Sequence, residues 1–493
     1  MLRLIVATLL LSFTGWASAG PADAEWVDPA HKPRVIILTD IGNEPDDQMS
    51  LVRFLLYSNQ YDIEAMVAVT STWQRDKTQE STIKEIVKTF GEVLPNLRLH
   101  AEGWPTEAYL AQRIFVGQTG YGMSDVGTKT SAGAQAIIDA AFADDERPLW
   151  INNWGGANTL AQALWQVRAS RSADELAYFV SKLRVYSISD QDDSGAWIRR
   201  EFPDLHYVNF PSNENGEEYG FATWTGISGD GYYRNGDGAD TYLVSNEWLD
   251  EHIRSVKPLG NHYPQYWFIM EGDTPAFLGL IDNGLETYRS PAWGGWSGRY
   301  VHRTPRAEQS AYWTQGGDMF LRVTSQDEVV GVDGRTYWSD QATIWRWRDA
   351  YQHDFAARMQ WTVKPVQDAN HNPQISLAGY PDGQTLFIDM AVGEQLTLDA
   401  SGSRDPDGNT LSYSWMHYQE AGFIGKANMA DMQLEQNGAA VTITAKATCR
   451  APWLPNFVQC EKQGLAHIIL AVTDNGKPHM TSYRRIVIDV HPK

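Results

Sequence analysis

Asp40, Asp46 and Asp47 fall within the stretch VIILTDIGNEPDDQMSL, which reads as a short β-branched strand, a glycine-bearing loop and the start of a helix. In open α/β sheets, ligands sit outside the carboxyl ends of the strands. Carboxylates that converge there repel one another unless something neutralises them. Oxygen donors without His or Cys suit a hard divalent cation, Ca²⁺ or Mg²⁺. Gly42 allows the backbone to fold tightly between the two acidic positions. The same residues admit a plainer reading, in which an acid at a helix start gains from the helix dipole and needs no metal.

Further groups could flank such a site. SDQDDSGAW puts Asp190, Asp192 and Asp193 after a later strand. They could bind sugar hydroxyls with Trp197 stacking beside them, or form an Asp-rich helix start in which Asp193 or Ser194 is the cap. NNWGGAN offers Asn152, Asn153 and Asn158 as amide donors, or as capping and turn residues. Trp293 and Trp296 lie on the Gly-rich loop SPAWGGWSGRY, which reads equally as an aromatic wall or a packed domain boundary. The chain has 20 Trp. Flat Trp faces line sugar and base sites, although half or more of these should serve packing. SRDPDGN, with Asp405 and Asp407, fits an Asp-Gly turn better than a Ca²⁺ loop. No G-x-S-x-G elbow, P-loop or H-E-x-x-H occurs, so those chemistries have no support.

The elements that must position these residues alternate from Arg34 onward. RVIILT, IEAMVAVTS, LRLHA, PLWINNW, LRVYSIS and LHYVNF read as strands. QMSLVRFLLYSN, STIKEIVKTFGEVL, AGAQAIIDAAFA and ANTLAQALWQVRAS read as helices. This alternation predicts an α/β domain with a mostly parallel sheet flanked by helices. From about Ile375, TLFIDM, EQLTLDAS, LSYSWMHY, AAVTITAK, AHIILAVTD and RRIVIDVH are short strands at regular spacing. They predict a small all-β sandwich of the immunoglobulin or cadherin type. The expected division is 30–365 for the first domain and 366–493 for the second.

Residues 1–19 have the layout of a secretory leader: a basic start, an apolar run of about ten residues and Ala17-Ser18-Ala19. Export to the periplasm or the outside is expected, with no later segment long and apolar enough to span a membrane. Export permits a disulfide between Cys449 and Cys460, the only two cysteines. The formal charge of −21 without a basic stripe argues against nucleic acid as a partner.

The layout TDIGNEPDD resembles the metal loop of inosine–uridine nucleoside hydrolases, with a spacing longer by two residues. The wider set TDIGNEPDD, AVTSTW, WINNWGGANTLAQAL, ISDQDDSGAW, ATWTGISGD and EGDTPAFLGLIDNGL is similar to a bacterial family named for cellulose binding. That family joins a nucleoside-hydrolase-like domain to a C-terminal sandwich. The resemblance implies Ca²⁺ held by Asp40, Asp47, the backbone carbonyl of Trp154 and Asp273. It implies that Asp40 also activates a metal-bound water and that Asp46 faces sugar hydroxyls. Asn43, Glu44, Trp73, Asn153, Asn158, Asp192, Trp197 and Trp293 are then expected to line the substrate. Nucleoside hydrolases place a His directly before the late aspartate; here Gly272 stands there, with Glu271 before it as the candidate acid. The implied function is an exported, Ca²⁺-dependent hydrolase of a small glycoside. The alternative is a carbohydrate-binding protein that holds cellulose or another polysaccharide without cleaving it.

Overall fold

The structure is a computed structural model that describes residues 32–212, 218–229, 238–267, 269–305, 308–316, 325–423, 428–449 and 462–493. The leader 1–19 and Cys460 lie outside the described residues; Cys449 is disulfide-bonded.

In β1 (Arg34–Thr39), Val35 and Ile37 join one apolar cluster while Ile36 and Leu38 join another. A strand that buries both faces is central, with helices covering each side. The chain continues through α1 (Asp46–Leu56), β2 (Asp62–Ala68), α2 (Glu80–His100), α3 (Glu107–Ala111), β3 (Ile114–Val116), α4 (Ala132–Ala141) and β4 (Leu149–Asn153). It then forms α5 (Asn158–Ser170), α6 (Ala173–Lys182), β5 (Leu183–Ser189), α7 (Ser194–Glu201) and β6 (His206–Phe210). These six strands run parallel in the order β3-β2-β1-β4-β5-β6. Chain direction across the sheet reverses between β1 and β4. The crevice at their carboxyl ends is therefore the topological switch point, where α/β folds place ligands.

After β6 come α8 (Asn246–Leu249), α9 (Pro275–Leu278) and several single turns. The antiparallel pair β7 (Val301–Arg303) and β8 (Tyr312–Thr314) extends the sheet beyond β6. A hairpin of β9 (Asp327–Val330) and β10 (Thr336–Ser339) precedes α10 (Ala342–Trp345) and α11 (Arg348–Gln360).

One expected strand is corrected. LRLHA is the last turn of α2, not a strand. Phe90, Leu94 and Leu97 recur at helical spacing and are buried together in the core, so packing carries the helix past Pro95. The third strand is instead the three-residue β3.

The C-terminal part stacks two sheets over one apolar core. One has the order β11 (Leu386–Ala391), β17 (Thr481–His491), β16 (Gly464–Thr473), β13 (Ser412–His417); the other has β12 (Gln395–Asp399), β15 (Ala440–Ala447), β14 (Asp431–Asn437). Asp405 Oδ1 accepts from the amides of Asp407 and Asn409 at 2.9 Å, which makes SRDPDGN an Asx turn. Polar and aromatic contacts join sandwich and α/β unit. Arg485 Nε donates to the Leu285 carbonyl at 2.8 Å, and Trp296 packs edge-on to Tyr351 and Tyr483. Among the described residues, no helix is long and apolar enough to cross a membrane.

Candidate functional site

Asp40 leaves the end of β1, Asp46 and Asp47 open α1, and Asp273 lies just before α9. Asp46, Asp47 and Asp273 each offer an oxygen, and these atoms all lie within 4.8 Å of one another. All three side chains are buried, as is Asp40. Asp46 Oδ1 and Asp273 Oδ2 have no hydrogen-bond partner among the described residues.

Burial is the largest influence on these carboxyls and pushes each of them up. For Asp46, Asp47 and Asp273 the strongest neighbouring charges add to the effect, and all of them are negative: Asp40, Glu44 and one another. Asp40 is pushed up to about 6, held back by the Ser71 hydroxyl that donates to its Oδ2. The half-buried Glu44 is pushed up to about 7 by burial and then by Asp40. A helix dipole is worth at most about 2 kcal/mol in the best partly buried cases. Each buried ion costs several kcal/mol. The plain reading of Asp46 and Asp47 as helix-start acids is therefore too weak to hold this set ionised.

Close backbone approach shapes the rim. A Cβ on Gly155 would come within 2.7 Å of Asp40 Oδ1, and one on Gly156 within 2.4 Å of Asp192 Oδ2. The two glycines of NNWGGAN thus bring the β4–α5 loop against both carboxylates. Gly272 is crowded in the same way: its Cβ would lie 2.7 Å from Asp46 Oδ2. A side chain at this position would require Asp46 and Ile269 to shift.

Asp192 remains at the rim. Its Oδ1 accepts from Ser194, its Oδ2 is buried without a partner among the described residues, and burial pushes its pKa up to about 6. Asp190 instead pairs through both oxygens with Arg199 at 2.8 Å, and Asp193 accepts from the Met123 amide. Asn43 is exposed on the loop beside Glu44. Trp73 is 37% exposed and meets Tyr219 edge-on. Its amide donates at 3.0 Å to the Ser71 hydroxyl that holds Asp40. The Trp154 carbonyl accepts from Gln191 Nε2 at 2.6 Å.

Other expected roles are corrected. Glu271 is not a poised acid: it is fully buried, 2.7 Å from Arg53 Nε, and accepts from Tyr263 and Thr274. Both of its oxygens are taken up by these buried partners, so neither is turned to the cleft as a proton donor would be. Trp197 packs on the outer apolar cluster against Phe202 and Arg168 rather than lining the rim. Trp293 lies at the seam with the sandwich, against Phe387, His467 and Arg485. Asn158 is fully buried, and its amide holds Thr70 and Gly120 at 2.8 Å. Asn153 donates to Gly155 and Ser187, so its amide shapes the loop.

Sequence reasoning missed the residues that hold the rim carboxyls in place. Thr39 donates to Asp47 Oδ1, Gln74 Nε2 donates to the Asp40 carbonyl at 2.9 Å, and Arg53 anchors Glu271. Their positions at or after strand ends, or on the inner face of α1, were the available signal.

A parallel sheet with this switch point and acidic rim, followed by an all-β unit, defines a nucleoside-hydrolase-like protein with an appended sandwich. Residues 34–300 match the family described as "Cellulose-binding Sde182, nucleoside hydrolase-like domain", and residues 395–490 match "Cellulose-binding protein Sde0182, C-terminal domain". The chain belongs to that family. It is similar to a nucleoside hydrolase-related hypothetical protein from Saccharophagus degradans, described as associated with carbohydrate metabolism. The match has 33% identity and a TM-score of 0.74, over 94% of this chain and 100% of that one. The type III effector XopQ, solved with adenosine diphosphate ribose, matches at 12% identity over 58% of this chain and 90% of that one, with a TM-score of 0.30. Human CDH23 domains EC21–23 match at 16% identity over 25% and 36%, with a TM-score of 0.15. No curated protein matches it.

Proposed function

We propose that the acidic rim is a Ca²⁺-dependent site that hydrolyses the glycosidic bond of a small glycoside, in an exported protein. One observation carries this reading. Buried carboxylate oxygens of Asp46, Asp47 and Asp273 lie within 4.8 Å of one another, and the strongest charges acting on them are negative. An all-oxygen donor set of this kind fits a hard divalent cation. Ca²⁺ bound there would act as a Lewis acid that polarises water and orients vicinal sugar hydroxyls. Asp40, held by Ser71 through Oδ2, would take a proton from an attacking water. Asp47 is fixed by Thr39, and Asp46 keeps an unpartnered oxygen for ion or sugar. Trp73 offers a half-exposed ring for a sugar face. The leader sequence supports export to the periplasm or beyond.

The engagement of Glu271 favours a second reading. Without it, the acid that protonates a departing base is missing, and the same cleft could hold a carbohydrate without cleaving it. The family's printed description as cellulose-binding supports that reading as well.

The separating experiment is a glycoside panel assayed for released reducing sugar or free base, with Ca²⁺ and with chelator, beside retention on insoluble cellulose. Turnover that needs Ca²⁺ and disappears in Asp47→Ala is the expected result. Retention on cellulose with no turnover on any glycoside would replace hydrolysis by binding.

A further inference from the structure

Away from the acidic rim, Asp349 and His353 on α11 and His479 in the turn before β17 also bring ligand atoms within 4.8 Å of one another. His479 Nε2 lies 2.7 Å from Asp349 Oδ2. The imidazole rings of His353 and His479 have centroids 4.0 Å apart, tilted by 36°.

His353 Nδ1 lies 2.8 Å from the backbone carbonyl oxygen of Asp349, one helical turn back, and 3.4 Å from Asp349 Oδ1. A carbonyl oxygen only accepts, so Nδ1 carries a proton toward it and Nε2 is the nitrogen left to face a ligand. A histidine whose far nitrogen donates to a backbone carbonyl is oriented in the way metal-ligating histidines are.

We propose that Asp349, His353 and His479 form a second metal site, for a divalent ion of the zinc class, that ties the C-terminal sandwich to α11. Two imidazole nitrogens and one carboxylate oxygen favour such an ion over Ca²⁺, whose sites are built from oxygen. Asp349 is exposed and the two histidines are partly so, which leaves room for water as a further ligand. Bond lengths of about 2.0–2.1 Å at a tetrahedral ion separate ligand atoms by roughly 3.3 Å. The pair His479–Asp349 therefore needs to open by only about half an ångström. Binding displaces the proton between His479 Nε2 and Asp349 Oδ2 to solvent. The ligands come from the two structural units, 130 residues apart, so the ion would link them as a clamp.

The test uses the untagged full chain, stripped of metal and then saturated with Ca²⁺ so that the acidic rim does not compete. Zn²⁺ is titrated by calorimetry, and Co²⁺ serves as the absorbing probe of coordination geometry. The expected result is one Zn²⁺ per chain, with affinity reduced by about tenfold or more in His353→Ala, His479→Ala and Asp349→Asn. Zn²⁺ should also raise the thermal midpoint of the wild type and leave that of His479→Ala unmoved. Asp349→Asn keeps the shape of the site and decides the matter if a His variant fails to fold. Asp47→Ala should retain this Zn²⁺ site, which separates it from the proposed glycosidase centre. No Zn²⁺ binding in the wild type, or equal binding in all three variants, overturns the proposal.

Discussion

Arg53 Nε lies 2.7 Å from Glu271 Oε2, with both side chains fully buried. Arg53 belongs to α1, which opens with Asp46 and Asp47, and Glu271 belongs to the loop that presents Asp273. The pair thus joins the two chain segments, distant in sequence, whose carboxylates meet at the rim. Glu271 adopts φ +55, a left-handed conformation that a non-glycine residue holds only when its surroundings enforce it. Glu271→Gln keeps the shape and removes the charge, leaving the Arg53 guanidinium buried without its partner. Breaking a buried pair costs about 3–5 kcal/mol. A stability loss toward the lower end of that range in urea unfolding, together with weaker Ca²⁺ binding by calorimetry, is expected. A loss under about 1 kcal/mol with unchanged Ca²⁺ affinity would show that the pair does not position Asp273.

Thr39 plays the corresponding part at the other end. It is the last residue of β1, and its hydroxyl donates to Asp47 Oδ1 while accepting from the Ile41 amide at 3.1 Å. Thr39→Val preserves the β-branched shape and removes the donor. Loss of a group that orients a metal ligand typically costs about 10–100-fold in affinity or activity. Calorimetric titration of the variant should show a Ca²⁺ affinity lower by that factor with far-UV dichroism unchanged. Wild-type affinity would exclude a part for Thr39 in setting the ligand.

The proposed Ca²⁺ site makes a signed prediction about pH. The folded-state pKa values of Asp46, Asp47 and Asp273 lie above their ordinary value because of burial and mutual repulsion. A carboxyl raised in the folded state favours folding while protonated, at low pH, and that contribution is lost as pH rises through the folded pKa. Ca²⁺ requires the ionised form and so competes with protons. The rise in thermal midpoint on adding Ca²⁺ should therefore be larger at pH 8 than at pH 5. A single site at 100 times its Kd is worth about 2.7 kcal/mol. An increment that is equal or larger at pH 5 would contradict carboxylate ligation.

Much of this arrangement was legible in the chain. Strand–helix alternation and the placement of Asp40, Asp46 and Asp47 after β1 follow from local pattern, because each signal lies within a few residues. Asp273 was reachable only through resemblance, since nothing local says that a loop after residue 270 returns to the rim. Glu271 and Trp197 were misassigned for a related reason. A carboxylate near a site and a Trp near an acidic loop look the same in sequence whether they face the cleft or the core. Arg53 decides the first, and the outer apolar cluster around Phe202 decides the second. Gly272 is informative in reverse: its departure from the hydrolase pattern is visible in sequence, but the steric cause, Asp46 Oδ2, is not.

His206 supplies a test independent of the rim. It begins β6 opposite Arg184 on β5 and lies edge-on to Trp150. Neither ring nitrogen has a hydrogen-bond partner among the described residues. Burial, then the Arg184 charge and His302, lowers its pKa to about 3. The unfolded chain takes up a proton near the ordinary value of 6.5 while the folded protein refuses it. Stability from this group is therefore complete above pH 6.5 and falls as pH drops from there toward 3. Replacing the ring by an apolar one of similar shape removes both the unpaired nitrogens and the proton uptake. At 1.36 kcal/mol per pKa unit, His206→Phe should gain about 2 kcal/mol relative to wild type on going from pH 7 to pH 5. Denaturant unfolding of both proteins at the two pH values measures the difference. If the gap between variant and wild type does not widen at pH 5, the buried ring is not neutral in the folded protein.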